Sequence, residues 1–255
     1  MIRVCSGFSP AGYEIYGKNF LETFDKFWPK GIDLRVYVES PLPVTQQAYR
    51  DCIKYVSECE GLLEFIERHS DSLEANGKLQ SIRTCNWKPK NTARGYDYRY
   101  DAVKFSRQCF IPEAALVGMD DGDILVWLDA DVLTFKQVPE DFIENLLGEN
   151  DMAYLGRGAH HSEIGFWAVR IGEQSRKFVR LLANVYRTDD VFNFQEWHSA
   201  FIWDSCRLGM GDRLKVRNLT PKGSGHVWFQ SPLSRYMDHL KGNRKVVGRS
   251  AERKD

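Results

Sequence analysis

The chain has 255 residues, 43% of them apolar and 27% charged, which suits one large α/β domain with a substantial core. Lys and Arg number 35 and so do Asp and Glu, so a formal net charge of zero leaves partner preference to local patches rather than a global field. No run of about 18 uncharged apolar residues occurs, which argues against a transmembrane helix.

In chain order, Met1-Ile2-Arg3-Val4-Cys5 reads as a first strand rather than a secretion signal, because a charge interrupts a very short apolar stretch. The Ser6 to Gly12 loop follows, rich in Gly, Ser and Pro. A helix is predicted from about Tyr16, with Phe20, Leu21, Phe24 and Phe27 on one face and Pro29 as its stop. Leu34 to Val38 is a second strand, and residues 45–68 carry a partly helical period. This alternation of strand and helix predicts a doubly wound, mostly parallel sheet.

Between Lys78 and Arg107 eight basic residues (Lys78, Arg83, Lys88, Lys90, Arg94, Arg99, Lys104, Arg107) face two acids, Asp97 and Asp101, with Trp87, Tyr96, Tyr98, Tyr100 and Phe105 among them. A helix is expected from Tyr98 to about Val117. Ile124-Leu125-Val126-Trp127-Leu128 is the clearest strand, its unbroken apolar run indicating burial on both faces. It ends in Asp129-Ala130-Asp131. Then come a helix over Val138 to Leu147, strands over Met152 to Leu155 and Ile164 to Ile171, and a helix over Ser175 to Tyr186. A further helix is expected to carry Glu196-Trp197-His198 through Cys206, and the tail from Pro221 is Gly-rich, basic and less regular. The six cysteines (Cys5, Cys52, Cys59, Cys85, Cys109, Cys206) form no C-x-x-C pair and read as reduced core thiols, hence an expected cytoplasmic location.

Two constellations carry chemistry. Two carboxylates one residue apart at the carboxyl end of a central strand make an oxygen-rich corner, where open α/β sheets bind ligands and where Mg²⁺ or Mn²⁺ finds oxygen donors. Taken alone, such a triplet also fits a surface turn. Near the other end, His239-Leu240-Lys241-Gly242-Asn243-Arg244-Lys245 offers an imidazole ligand, a glycine that admits a phosphate close to the backbone, and a point positive charge. Taken alone it reads as a basic tail.

Together, strand-D-x-D in mid-chain and H-x-x-G-x-x-K near the end resemble the GT-A fold glycosyltransferases of the glycogenin and bacterial lipopolysaccharide galactosyltransferase type. The resemblance implies a Rossmann-like α/β fold with a central, mostly parallel sheet flanked by helices, forming one domain over residues 1–255. Residues 1–135 would bind the nucleotide-sugar, and residues 136–255 would supply the acceptor half with the metal- and diphosphate-binding tail. Asp129, Asp131 and His239 would hold Mn²⁺ or Mg²⁺, Gly242 and Lys245 the diphosphate of a donor such as a UDP-sugar, and transfer would retain anomeric configuration. The aromatic residue that often follows that Lys is absent here, where Val246 and Val247 stand.

Arg99 and Lys104 are further candidates for the diphosphate, and Tyr16, after the first loop, for stacking on the nucleobase. Glu196 is the preferred catalytic acid of the acceptor half and Glu163 the next, each able to orient or help deprotonate a hydroxyl. His160-His161 has no further ligand at helical or hairpin spacing, which argues against zinc.

The interleaved cations and aromatics of residues 78–107 suit nucleic acid, so the acceptor is either a hydroxymethylated DNA base, as for compact phage enzymes, or a glycan such as a lipopolysaccharide. On the phage analogy the cell compartment would be the bacterial or phage-infected host cytoplasm. Two other classes remain open. A metal-dependent nucleotidyltransferase would carry a cation in the first loop, where Ser6 to Gly12 has none. In a non-catalytic nucleic-acid-binding module, the acidic triplet would be a liability without a metal.

Overall fold

The computed structural model describes residues 1–42, 47–78, 95–223 and 225–253. Its strands are β1 (Ile2–Phe8), β2 (Asp33–Val38), β3 (Ile53–Tyr55), β4 (Ile124–Leu128), β5 (Val132–Thr134), β6 (Met152–Leu155), β7 (Glu163–Arg170), β8 (Val216–Asn218) and β9 (Met237–His239). Seven of them form one sheet in the order β3-β2-β1-β4-β7-β6-β8, and β5 pairs with β9 in a separate ribbon. Only β7 in the large sheet runs antiparallel to its neighbours. The expected Rossmann-like α/β class, a mostly parallel sheet flanked by helices, is what the chain forms.

The strand period of two explains the two cores. On β4, Leu125 and Trp127 point into a cluster with Cys5, Phe110, Trp167, Phe178 and Trp203. The alternate residues Ile124, Val126 and Leu128 join Val4, Phe20, Phe24, Trp28 and Trp228 on the other face. All five β4 residues are buried, as an unbroken apolar run requires. Arg3, the charge inside the first strand, is buried against Asp33 at 2.6 Å and donates to the carbonyls of Ala115 and Val117, at the end of helix Arg107–Ala115. Its charge thereby finds a partner and a helix C-terminus.

Several boundaries differ from expectation. The helical period over 45–68 is broken: Gln47–Cys52 is helical, but Ile53–Tyr55 pairs with the open edge of β2 before helix Leu62–His69 begins. Tertiary pairing there outweighs local periodicity. The single helix expected from Tyr98 splits into Tyr98–Tyr100, Ala102–Phe105 and Arg107–Ala115, because Asp97 and Asp101 accept from the N–H groups of Arg99 and Lys104 and start new turns. Glu196-Trp197-His198 precedes helix Ser199–Met210 rather than lying on it. The tail contributes β9, and β8 just precedes it. Cys5, Cys52, Cys59, Cys109 and Cys206 are buried free thiols; Cys85 lies outside the described residues. Among the described residues no helix is long and apolar enough to cross a membrane.

Candidate active site

At the carboxyl end of β4 the chain turns sharply. The Asp129 N–H donates to the Gly165 carbonyl on β7 (2.9 Å), and the Val132 N–H returns to the Asp129 carbonyl (3.0 Å). The Asp129 side chain is aimed by two donors on one oxygen: Trp127 Nε1 at 2.8 Å and Gln108 Nε2 at 3.0 Å, both to Oδ1. Trp127 stands two residues earlier on the strand, hence on the same face. The Ser199 hydroxyl donates to the Gln108 carbonyl oxygen and sets the amide's direction. Oδ2 is left 3.5 Å from His239 Nε2.

The second carboxylate is positioned by the β5–β9 ribbon. Val132 registers with His239, and the Leu240 N–H donates to the Asp131 carbonyl (2.9 Å). Asp131 Oδ1 then lies 3.0 Å from His239 Nε2, and Oδ2 lies 3.0 Å from Lys245 Nζ. The His239 ring is fully buried, 4.9 Å from the Trp228 ring, and a Cβ built on Gly165 would stand 2.3 Å from its Cε1. One donor atom each from Asp129, Asp131 and His239 falls within 4.8 Å of the others. Two carboxylates and an imidazole nitrogen suit a divalent cation, with the nitrogen favouring Mn²⁺ over Mg²⁺.

Without such an ion, side-chain cations balance the acids. Burial opposes charge on both members of the pair. Asp131 nonetheless draws His239 up to about 9, and His239 with Lys245 holds the Asp131 carboxyl well below the usual carboxylate range. The corner is an ion-pair cluster already shaped for a positive centre.

Two cavities meet here. One of about 500 Å³ is lined by Gly7, Ser9, Tyr16, Tyr37, Asp129 and Lys245, among others. The other, of about 1460 Å³, includes Tyr98, Arg157, His161, Glu163, Glu196 and Lys241. Asp129, Asp131, Lys245, Lys104, Phe105 and Gln108 border both. Two ligands can therefore approach the acidic corner from different sides.

Comparison with known proteins gives no match to any protein-family profile and none to a curated protein. Solved structures share the chain path more loosely. A glycosyltransferase involved in the glycosylation of the major capsid of PBCV-1 is 12% identical, with 96% of this chain and 98% of that one covered and a TM-score of 0.49. Mouse xyloside xylosyltransferase 1 is 11% identical over 86% of this chain and 85% of that one, TM-score 0.45. The glycosyltransferase GlyE of Streptococcus pneumoniae TIGR4 is 13% identical over 84% of this chain and 44% of that one, TM-score 0.39. All three are glycosyltransferases.

The other residues singled out in the sequence fall at different distances from the corner. Tyr16 lines the smaller cavity with Lys245 Nζ 4.4 Å from its ring centre; burial, then Asp131 and Asp129, raises its hydroxyl pKa. Lys104 lies between the cavities, 5.4 Å from the Phe105 ring. Arg99 borders the larger cavity but is buried, its guanidinium forked on Asp97 at 2.6 to 3.1 Å. Gly242 has φ of +60°, so glycine is favoured there by backbone conformation.

Glu163 opens β7 and is 4% exposed, held by Lys241 Nζ at 2.6 Å and by Arg157. Burial alone would raise its pKa, but Lys241, His239 and Arg157 bring it down to about 2. Its Oε1 lies 3.8 Å from His239 Nδ1, a buried nitrogen with no hydrogen-bond partner among the described residues. Glu196 is more open. Its Oε2 receives His198 Nε2 at 2.8 Å and His161 Nε2 at 3.3 Å, and these outweigh burial to bring it down to about 2.

Sequence reasoning missed Gln108, Trp127 and Arg157 as parts of this site, and gave no role to Gly165 or to Lys241, which stands inside the late motif. The Trp127–Asp129 spacing carried a signal, since i and i+2 share a strand face; Gln108 carried none. Arg83, Trp87, Lys88, Lys90 and Arg94 of the basic segment lie outside the described residues.

Proposed function

We propose that this chain is a metal-dependent glycosyltransferase that moves a sugar from a nucleotide-sugar, such as a UDP-sugar, to an acceptor hydroxyl. The observation that carries this reading is the convergence of Asp129, Asp131 and His239 on one point, with Lys245 beside them, where two cavities meet. A divalent ion held there would neutralise charge developing on a departing nucleoside diphosphate. Lys245 turns from Asp131 toward the diphosphate, and Gly242 lets the backbone approach it. Tyr16 offers a face to the donor from the smaller cavity. Residues 1–135 supply most of the donor side, within one domain.

Glu196 faces the larger cavity and orients the acceptor hydroxyl. Glu163, tied to two cations, serves better to position His239 and Lys241 than as a free base. For the acceptor, the exposed ring of Tyr98 and the ammonium of Lys104 in the larger cavity support a hydroxymethylated DNA base, with a glycan as the alternative. Retention of configuration is part of the same proposal.

A thermal-shift screen of nucleotide-sugars with and without Mn²⁺ tests the donor half, since a ligand that binds only the folded chain raises its melting temperature. No stabilisation by any nucleotide-sugar with Mn²⁺ present would remove the reading. Transfer of labelled sugar to hydroxymethylcytosine DNA, plain DNA and oligosaccharides tests the acceptor, and labelling of oligosaccharides alone eliminates DNA. NMR of the first-formed product decides the stereochemistry.

A further inference from the structure

We infer that His161, Glu196 and His198 form a second metal-ion site, for an ion of the Zn²⁺ class, in the wall of the larger cavity. One donor atom from each falls within 4.8 Å of the others. Glu196 Oε2 is 2.8 Å from His198 Nε2 and 3.3 Å from His161 Nε2. Two ligands held at roughly 2.0–2.2 Å by one tetrahedral ion sit about 3.3 Å apart, close to the 2.8 and 3.3 Å of the two Glu196 pairs, while the two imidazole nitrogens lie within 4.8 Å of each other. Two imidazoles and one carboxylate are a donor set of catalytic zinc sites, which keep a further coordination position open. All three residues line the 1460 Å³ cavity, so that position faces free space.

The rings are held in place from outside the cluster. The His198 ring is 5.4 Å from the Tyr98 ring and 5.9 Å from the Phe105 ring, the residue is 5% exposed, and its backbone N–H donates to the Arg99 carbonyl. His161 packs edge-on against His198 (5.2 Å) and Phe201 (5.1 Å). Its neighbour Ser162 is pinned by two hydrogen bonds to Asp204, at 2.7 and 2.8 Å. His161 is thus brought beside Glu196 and His198, 35 and 37 positions further along the chain. This is the preorganisation that ion ligands need. The open position takes an oxygen of the acceptor. That last assignment rests on the glycosyltransferase reading, whereas ion binding does not.

The test uses Zn²⁺ alone with chelator-stripped, full-length chain, and counts bound metal by equilibrium dialysis with elemental analysis. The Asp129→Asn, Asp131→Asn double variant removes the first corner and is expected to keep a single Zn²⁺ per chain. Adding His161→Ala or Glu196→Gln to that background should weaken it more than about 100-fold, beyond the 10–100-fold that loss of an outer-shell partner causes. His160→Ala, which alters only the adjacent histidine, should leave it intact. Co²⁺ in place of Zn²⁺ should show the intense visible bands of a low-coordinate N,N,O site, and these should vanish with His161→Ala. His161 is partly exposed, so its variant is expected to fold; Glu196→Gln gives an independent check if it does not. Absence of Zn²⁺ from the double variant, or unchanged binding after both substitutions, overturns the site. Because this assay contains no donor or acceptor, zinc binding together with no stabilisation by any nucleotide-sugar in the separate thermal-shift screen would remove the enzyme reading and leave this one standing.

Discussion

Gly165 and His239 compete for one volume: a Cβ on the glycine would lie 2.3 Å from the imidazole Cε1, closer than any real contact. The same glycine's carbonyl accepts the Asp129 N–H, so one residue of β7 gauges both the end of β4 and the buried histidine. Its φ lies outside the left-handed region, so an alanine there is opposed by the ring and not by the backbone.

Gly165→Ala should therefore displace His239. The expected result is Mn²⁺ affinity lower by about 10–100-fold, as for changes that disturb ligand orientation, with about 1–3 kcal/mol of stability lost to overpacking. Calorimetric Mn²⁺ titration and denaturant unfolding read the two effects separately. Unchanged affinity would mean His239 is not a ligand.

Asp131→Asn keeps shape but removes the charge that balances His239 and Lys245. Mn²⁺-dependent stabilisation by a nucleotide-sugar should disappear. The metal-free protein should lose only about 1–3 kcal/mol, because His239 can release its proton and Lys245 can turn to water, so neither is stranded as a buried charge. Thermal shifts with and without Mn²⁺ measure both.

Lys245→Ala removes the ammonium 3.0 Å from Asp131 and 4.4 Å from the Tyr16 ring centre. A fall in kcat/KM of about 10²-fold is expected if it stabilises the leaving diphosphate, the scale seen when one such donor is deleted. Lys245→Arg should recover only part of this, since a planar fork does not replace a point charge. Steady-state kinetics over donor concentration decide it, and wild-type kinetics in the alanine variant would exclude the role.

Glu163→Gln tests whether that carboxylate is structural. It anchors Lys241 and Arg157 and lies beside His239 Nδ1, so a stability loss of about 1–3 kcal/mol is expected, or roughly 2–12 °C in Tm for a chain this size. A residual rate with unaltered pH profile would accompany it. Intact stability with abolished transfer would instead make Glu163 the reacting base.

Much of the fold was legible because its signals are local. The apolar run of β4, the charged stop at Asp129 and the stripe of helix Glu173–Arg187 are each written within one turn or one strand of sequence. The short strands were not. Ile53–Tyr55 and Met237–His239 are three residues long and exist because a strand elsewhere in the chain, β2 for the first and the equally short β5 for the second, offers them hydrogen bonds. The helix expected across Glu196 begins only after His198, where the backbone N–H groups of Trp197 and His198 donate instead to the Arg99 carbonyl.

For the site, the sequence offered two acids after a buried strand, Asp129 and Asp131, and a late His239 and Lys245, and the resemblance to GT-A glycosyltransferases joined the two motifs into one candidate site. Tertiary structure decided which atoms converge. The β5–β9 ribbon joins Asp131 to a histidine 108 residues away, and Gln108 and Ser199 aim Asp129. It also gathered His161, Glu196 and His198, whereas His160-His161 had no further ligand at helical or hairpin spacing in the chain. Such contacts depend on loop closure and on packing of whole faces, and neither leaves a period or a spacing in the sequence to be read.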